Sequence, residues 1–245
     1  MGKGNQIYGL HSVIEALEAG KEIDKILIRK DNSHGKLADV RRLAKETAIP
    51  LQWVPEQRLY KMVGDVNHQG IVALLSNISY QPLEELIMRL QGEGKKPFLI
   101  MLDGITDVRN FGAIARTAEC MGAHAVIIPT HGSASVQADA IKTSAGALNH
   151  LPVCREQNLV DSLMLMQAYG IEAVALTEKA DSALFDMDLS GPLCIIMGSE
   201  ERGISKQLLR RTPHLAAIPM QGQISSLNVS VAAGMAILEA VRQRA

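Results

Sequence analysis

The chain has 245 residues, 47% hydrophobic and 21% charged, with a formal net charge of −1. That composition excludes a disordered polymer and a wholly basic, nucleic-acid-coating protein. Aromatic residues make up only 3%, too few for an RNA-binding sheet that stacks successive bases on rings.

From the N-terminus, apolar periodicity predicts a helix over Ser12–Ala19, a strand over Lys25–Arg29, a helix over Leu37–Thr47, and strands over Leu51–Val54 and Gly70–Leu75. Such alternation suggests a small three-layer α/β module at 1–75. Residues 1–96 carry a net charge of +2 and residues 97–245 one of −3, so a basic surface is expected in the first part. The stretch 76–96 ends in Gly92-Glu93-Gly94-Lys95-Lys96-Pro97 and is expected to be a linker, with a short helix at the helically spaced Leu83, Leu86, Ile87 and Leu90.

In 97–245 the compact apolar runs Phe98–Leu102, Ala125–Ile128, Ala173–Leu176, Leu193–Met197 and Leu215–Ile218 look like buried parallel strands. Helical patterns alternate with them at Ala113–Met121, Ala138–Ala147, Leu159–Tyr169, Lys206–Arg211 and Val229–Arg242. The fold class is therefore α/β, with a parallel sheet covered on both faces and ligands expected beyond the carboxyl ends of the strands.

The loops after three of these strands carry the polar residues. The first holds Asn110 and Gly112 at the start of a helix, with Arg116 further along in an apolar run. Asn110 suits an N-cap, and Arg116 needs an anionic partner or a path to solvent. The second, Gly198-Ser-Glu-Glu-Arg-Gly203, offers glycines for close backbone approach and Glu200 as a cap or an orienting group. The third runs from Ile218 and Met220 to Ser225, Ser226, Leu227 and Asn228, which suit a helix cap or a binding loop. No GxGxxG follows the first strand of either part, which counts against a dinucleotide oxidoreductase. Cys120, Cys154 and Cys194 lie far apart without a CxxC or HExxH pattern. No structural metal is expected, and the cysteine usage fits a reducing cytoplasm. No apolar run is long enough for a signal peptide or a membrane span.

Taken together, the loops resemble the three motifs of the SpoU (TrmH) family of SPOUT RNA methyltransferases. Asn110, Gly112, Ala113 and Arg116 match the first motif, and Gly198, Glu200 and Gly203 the second. Ile218, Pro219, Met220, Ser225, Ser226, Leu227, Asn228 and Val229 match the third. Val108 stands where the first motif commonly has proline, which bears on loop rigidity and leaves the polar residues in place. Ile7-Tyr8-Gly9-Leu10-His11 and His68-Gln69-Gly70 resemble the two ends of the substrate-binding domain in the branch that methylates 23S rRNA guanosine.

The resemblance implies a C-terminal SPOUT domain with a deep trefoil knot at 97–245, preceded by an L30e-like, ribosomal-protein-like RNA-binding domain. It implies an S-adenosyl-L-methionine pocket around Thr177, Met197, Gly198, Ile218, Met220 and Leu227. It also implies a homodimer through the knotted domain, acting on RNA with no DNA or membrane partner. The implied reaction is ribose 2′-O-methylation, on a guanosine in the peptidyl-transferase P loop of 23S rRNA. A tRNA or another rRNA site is the alternative substrate, and a non-catalytic ribosome assembly factor the alternative class. Asn110, Ser226 and Asn228 would orient the ribose, and Glu200 would fix the pocket or Arg116. Arg116 would act as the base or as a phosphate anchor; the second role suits a guanidinium, which stays protonated in proteins.

Overall fold

The computed structural model describes residues 5–31, 37–134, 136–224 and 226–245; Ser225 of the third motif lies outside them. Two compact units divide the chain, Met1–Ser79 and Tyr80–Ala245.

In the first unit, β1 (Gln6–Tyr8), β2 (Ile23–Arg29), β3 (Leu51–Val54) and β4 (Ile71–Leu75) form one sheet in the order β1-β4-β2-β3. β2 runs parallel to β3 and antiparallel to β4, which also pairs antiparallel with β1. Because side chains alternate across a strand, Ile26 and Ile28 face one way and Leu27 the other. The first pair meets Leu10, Val13 and Leu17 of α1 (Leu10–Glu18) and Leu37, Val40 and Ala44 of α2 (Leu37–Glu46). Leu27, with Val54, Val72 and Leu74, meets Leu59 of α3 (Glu56–Val63). The result is three layers with a core on each face of the sheet.

The second unit begins with α4 (Leu83–Gly92). Its Leu83, Leu86, Ile87 and Leu90 are buried in this unit's core, so the helical part of the expected linker belongs to the second unit's packing. Next come β5 (Phe98–Asp103), α5 (Val108–Cys120), β6 (Ala125–Pro129), α6 (Ala138–Thr143), β7 (Val153–Glu156), α7 (Leu159–Ala168) and β8 (Glu172–Leu176). β9 (Leu193–Gly198), α8 (Lys206–Arg211), β10 (His214–Ala216) and α9 (Val229–Arg244) complete it. The sheet order is β10-β8-β9-β5-β6-β7, and every pairing is parallel.

Leu86, Ile87, Leu163, Met166 and Leu208 cover one face of this sheet over Leu99, Met101, Ile127, Ala175 and Ile196. α5 and α9 pack against each other, and they meet the sheet at β6 and β9. Their buried faces are Phe111, Ile114, Ala115 and Ala118, and Val229, Ala233, Ala236, Ile237 and Ala240. Successive strands leave β5 toward β6 and β7, whereas β9, β8 and β10 lie on its other side. That reversal places a crevice beyond the carboxyl ends of β5 and β9.

Candidate active site

The crevice is floored by the ends of β5 and β9, which are locked together: Asp103 Oδ2 accepts a hydrogen bond from the Ser205 N–H at 2.7 Å. The loop after β9 closes on itself through paired bonds between Ser199 and Gly203. A Cβ at Gly198 would lie 2.2 Å from both the Gly203 carbonyl carbon and the Ile204 nitrogen. This glycine is therefore required by backbone packed on backbone within the loop. Gly203, with φ +65, supplies the left-handed turn.

Asp107 is the N-cap of α5, with Oδ1 accepting from the N–H groups of Arg109 and Asn110. The cap is thus three residues earlier than expected, and the Asn110 side chain is released for other contacts. Asn110 Nδ2 donates to Glu200 Oε1 at 3.1 Å, and Asn110 Oδ1 accepts from Asn228 Nδ2 at 3.0 Å. Asn228 Nδ2 also donates to Glu200 Oε1 at 2.7 Å, while its Oδ1 caps α9 by accepting from the Ser230 N–H at 2.9 Å. The Val229 N–H, 3.4 Å away, completes the donors around that carboxylate oxygen. One residue from each of the three motif loops thus meets at a single point. The arrangement holds a carboxylate against two amides whose remaining hydrogen-bonding capacity can face a polar ligand.

Thr177, Met197, Gly198, Ile218, Met220 and Leu227 lie around one open pocket, together with Ser226 and Glu200. Leu176, Val229 and Ala232 add apolar wall. Among the described residues, the N–H groups of Ile218, Met220 and Leu227 have no protein partner. An apolar wall with a few free backbone donors is the kind of lining that receives a nucleoside. A wider groove shares Ser199, Glu200, Gly203 and Val229 with this pocket and runs past Asp103, Asp107, Asn110 and Asn158. Glu200 stands where the two join.

Arg116 is apart from this cluster. It follows Asn110 by six residues, hence about 9 Å along the helix and roughly 120° around it. It is exposed, and among the described residues its side chain has no hydrogen bond or ion pair. Glu200 therefore bonds the two asparagines and leaves Arg116 free. Gly112 serves helix packing, since a Cβ there would meet Thr143 Oγ1 at 2.2 Å. The carboxylate bond between Asp103 and Ser205 was missed in the sequence; an aspartate ending an apolar strand was its only signal.

The profile of the SpoU rRNA Methylase family matches residues 97–238, more than half of the chain. The chain belongs to the SpoU rRNA methylase family. A second profile, described as RNA 2′-O ribose methyltransferase substrate binding, matches residues 6–81, and this SpoU chain is an enzyme of the RNA 2′-O-ribose methyltransferase class. It is 37% identical over 240 residues to the 23S rRNA (guanosine-2′-O-)-methyltransferase RlmB of Photorhabdus laumondii, covering 97% of this chain and 98% of that one. RlmB of Escherichia coli K12 is 36% identical over 242 residues, with the same coverage of 97% and 98%. Among solved structures, the AdoMet-bound rRNA methyltransferase of Sinorhizobium meliloti superposes with a TM-score of 0.62 at 25% identity, over 97% of this chain and 87% of that one. The SpoU methyltransferase AviRb of Streptomyces viridochromogenes, in complex with AdoMet, gives 0.61 at 25% identity, over 98% and 90%.

Proposed function

We propose that this SpoU enzyme methylates the ribose 2′-hydroxyl of a guanosine in 23S rRNA, within the peptidyl-transferase P loop. The observation that carries the reading is the junction at Glu200, where a largely apolar pocket with free backbone donors opens beside a polar groove. The RlmB relatives, aligned over nearly their whole length, support guanosine and 23S rRNA as the target. The cofactor is S-adenosyl-L-methionine, which supplies an electrophilic methyl group when bound.

Thr177, Met197, Gly198, Ile218, Met220 and Leu227 would hold the cofactor, the free N–H groups of Ile218, Met220 and Leu227 meeting its polar edges. Asn110, Ser226 and Asn228 orient the ribose so that its hydroxyl lies in line with the methyl group. Glu200 fixes both asparagine amides. Arg116, exposed and unpaired among the described residues, binds the phosphate beside the target nucleotide and steadies the charge that develops on the ribose oxygen.

The unit Tyr80–Ala245 carries the transfer chemistry, and Met1–Ser79 is an L30e-like module that grips the RNA. Residues 177–192 form a loop through which the chain after β10 is threaded as a trefoil knot. Supporting this, Ala217 pairs with Ala183, while Gln243 of α9 bonds Met187 and Leu189 of the same loop. Val231, Met235 and Leu238 are exposed at helical spacing on α9, a face suited to a second copy of the chain in a homodimer. The setting is the bacterial cytoplasm, where ribosomal RNA is available; among the described residues no helix is long and apolar enough to cross a membrane.

Mapping ribose methylation in rRNA from a deletion strain, with and without the restored gene, tests the reading. The expected result is loss and recovery of one 2′-O-methylguanosine in 23S rRNA. Full methylation of 23S rRNA in the deletion strain, with a missing tRNA mark instead, would transfer the activity to tRNA.

A further inference from the structure

Trp53 is the only tryptophan in the chain, and it is placed unusually for so large an apolar residue. It sits on β3, an edge strand of the first sheet. Its register partner Ile28 points toward α1 and α2, so the indole lies on that face, at the open margin of the sheet. It remains 40% exposed. The Arg41 guanidinium of α2 stands 5.0 Å from the ring centroid, a cation over an aromatic face. Among the described residues, the Arg41 side chain has no hydrogen bond or ion pair. Lys45, one helical turn on, is likewise exposed and unpaired, whereas Arg42 is tied to Glu46 at 3.1 Å. An exposed indole under an unneutralised guanidinium, with a second free cation one helical turn further along α2, matches the chemistry of a nucleotide, with its π face and its adjoining phosphates.

We propose that Trp53 and Arg41 form a stacking platform for one unpaired base of the substrate RNA. The base lies against the exposed indole, and Arg41 and Lys45 meet the flanking phosphates. A paired base is excluded because both of its faces are covered within a helix. The low aromatic content rules out a stacking sheet but leaves room for a single anchoring ring. This inference rests on the reading of the first unit as the RNA-gripping module.

A chain with one tryptophan offers a direct test, since its indole emission reports Trp53 alone. The full-length protein is titrated with single-stranded oligoadenylate and, separately, with a blunt RNA duplex of the same length. Oligoadenylate is expected to quench the emission and the duplex to leave it unchanged. Trp53→Leu should bind oligoadenylate about tenfold more weakly or worse, with thermal midpoint and S-adenosylmethionine affinity retained. Trp53→Phe should recover part of the loss. Arg41→Ala should weaken binding and lower the slope of log affinity against log salt by about one. Unchanged emission at saturating oligoadenylate, equal quenching by the duplex, or wild-type affinity in Trp53→Leu would each overturn the proposal. Should Trp53→Leu fail to fold, the wild-type titration and Trp53→Phe still decide. Normal rRNA methylation with a silent Trp53 would sink the platform alone, whereas quenching without rRNA methylation would sink the assigned reaction alone.

Discussion

Glu200 gathers three N–H donors on one carboxylate oxygen. Glu200→Ala would leave the amides of Asn110 and Asn228 without their shared partner. Because the residues are solvent-accessible, water can compensate, and stability should change by only about 1 kcal/mol. With Asn110 and Asn228 in their proposed role of orienting the ribose, their displacement should cost about 100-fold in single-turnover methyl transfer at saturating RNA. A near-normal rate would remove the cluster from the chemistry. His124 offers a second test, through acid. Its Nδ1 accepts the Phe98 N–H at 3.0 Å, and burial first, then the charges of Lys95 and Arg244, hold its pKa below the ordinary 6.5. The unfolded chain therefore takes up the proton first as pH falls. The contribution is intact above pH 6.5 and declines as pH drops toward the folded value, by a fraction of the ~1.4 kcal/mol per pH unit that one whole proton carries. Urea unfolding at neutral and mildly acidic pH should show a smaller acid loss in His124→Asn than in the native chain; equal losses would refute the assignment. The polar residues of the site could be picked out in the sequence because loops after apolar strands stand out. Their partners could not. Whether Asn110 caps a helix or reaches across to Glu200 depends on Asp107 taking the cap, a competition that local sequence leaves open.

α5 and α6 approach so closely that Gly112 has no room for a methyl group. An added Cβ would stand 2.7 Å from Thr143 Cβ and 2.9 Å from the Ser144 backbone nitrogen. Gly112→Ala gains helix propensity of about 1 kcal/mol but must push α6 away, an overpacking cost of about 1–3 kcal/mol. A net loss of about 1 kcal/mol in urea unfolding is expected, and a stabilised variant would show that α6 yields freely. The central strands were legible because burial on both faces leaves continuous apolar runs, as in Phe98–Asp103 and Leu193–Gly198. β1, α3 and β7 escaped the same reading. β1 is three residues long, α3 buries only Leu59, and β7 buries only Val153 and Cys154. An element with one or two buried side chains leaves no period to detect. Their existence is settled by partners far along the chain, such as Leu74 for Gln6 and Val126 for Val153.

At the scale of the whole molecule, each unit owns its core, and α4 belongs wholly to the second. A fragment beginning at Tyr80 should therefore fold and bind S-adenosylmethionine within a few-fold of the full chain, whereas one beginning at Pro97 exposes the apolar bed of α4 and should aggregate. Calorimetry and light scattering on the two fragments check this; equal behaviour would make α4 dispensable. The last helix ties the second unit together from both ends. At its start, Asn228 reaches Glu200, and Val229 and Ala232 wall the pocket. At its finish, Arg244 lies 4.9 Å over the Phe98 ring and bonds the carbonyls of Lys96, Leu189 and Gly191. One element therefore serves as cap, pocket wall and clamp on the entry to β5. Loosening its far end, as in Arg244→Ala, should be felt at the pocket as weaker retention of the methyl donor.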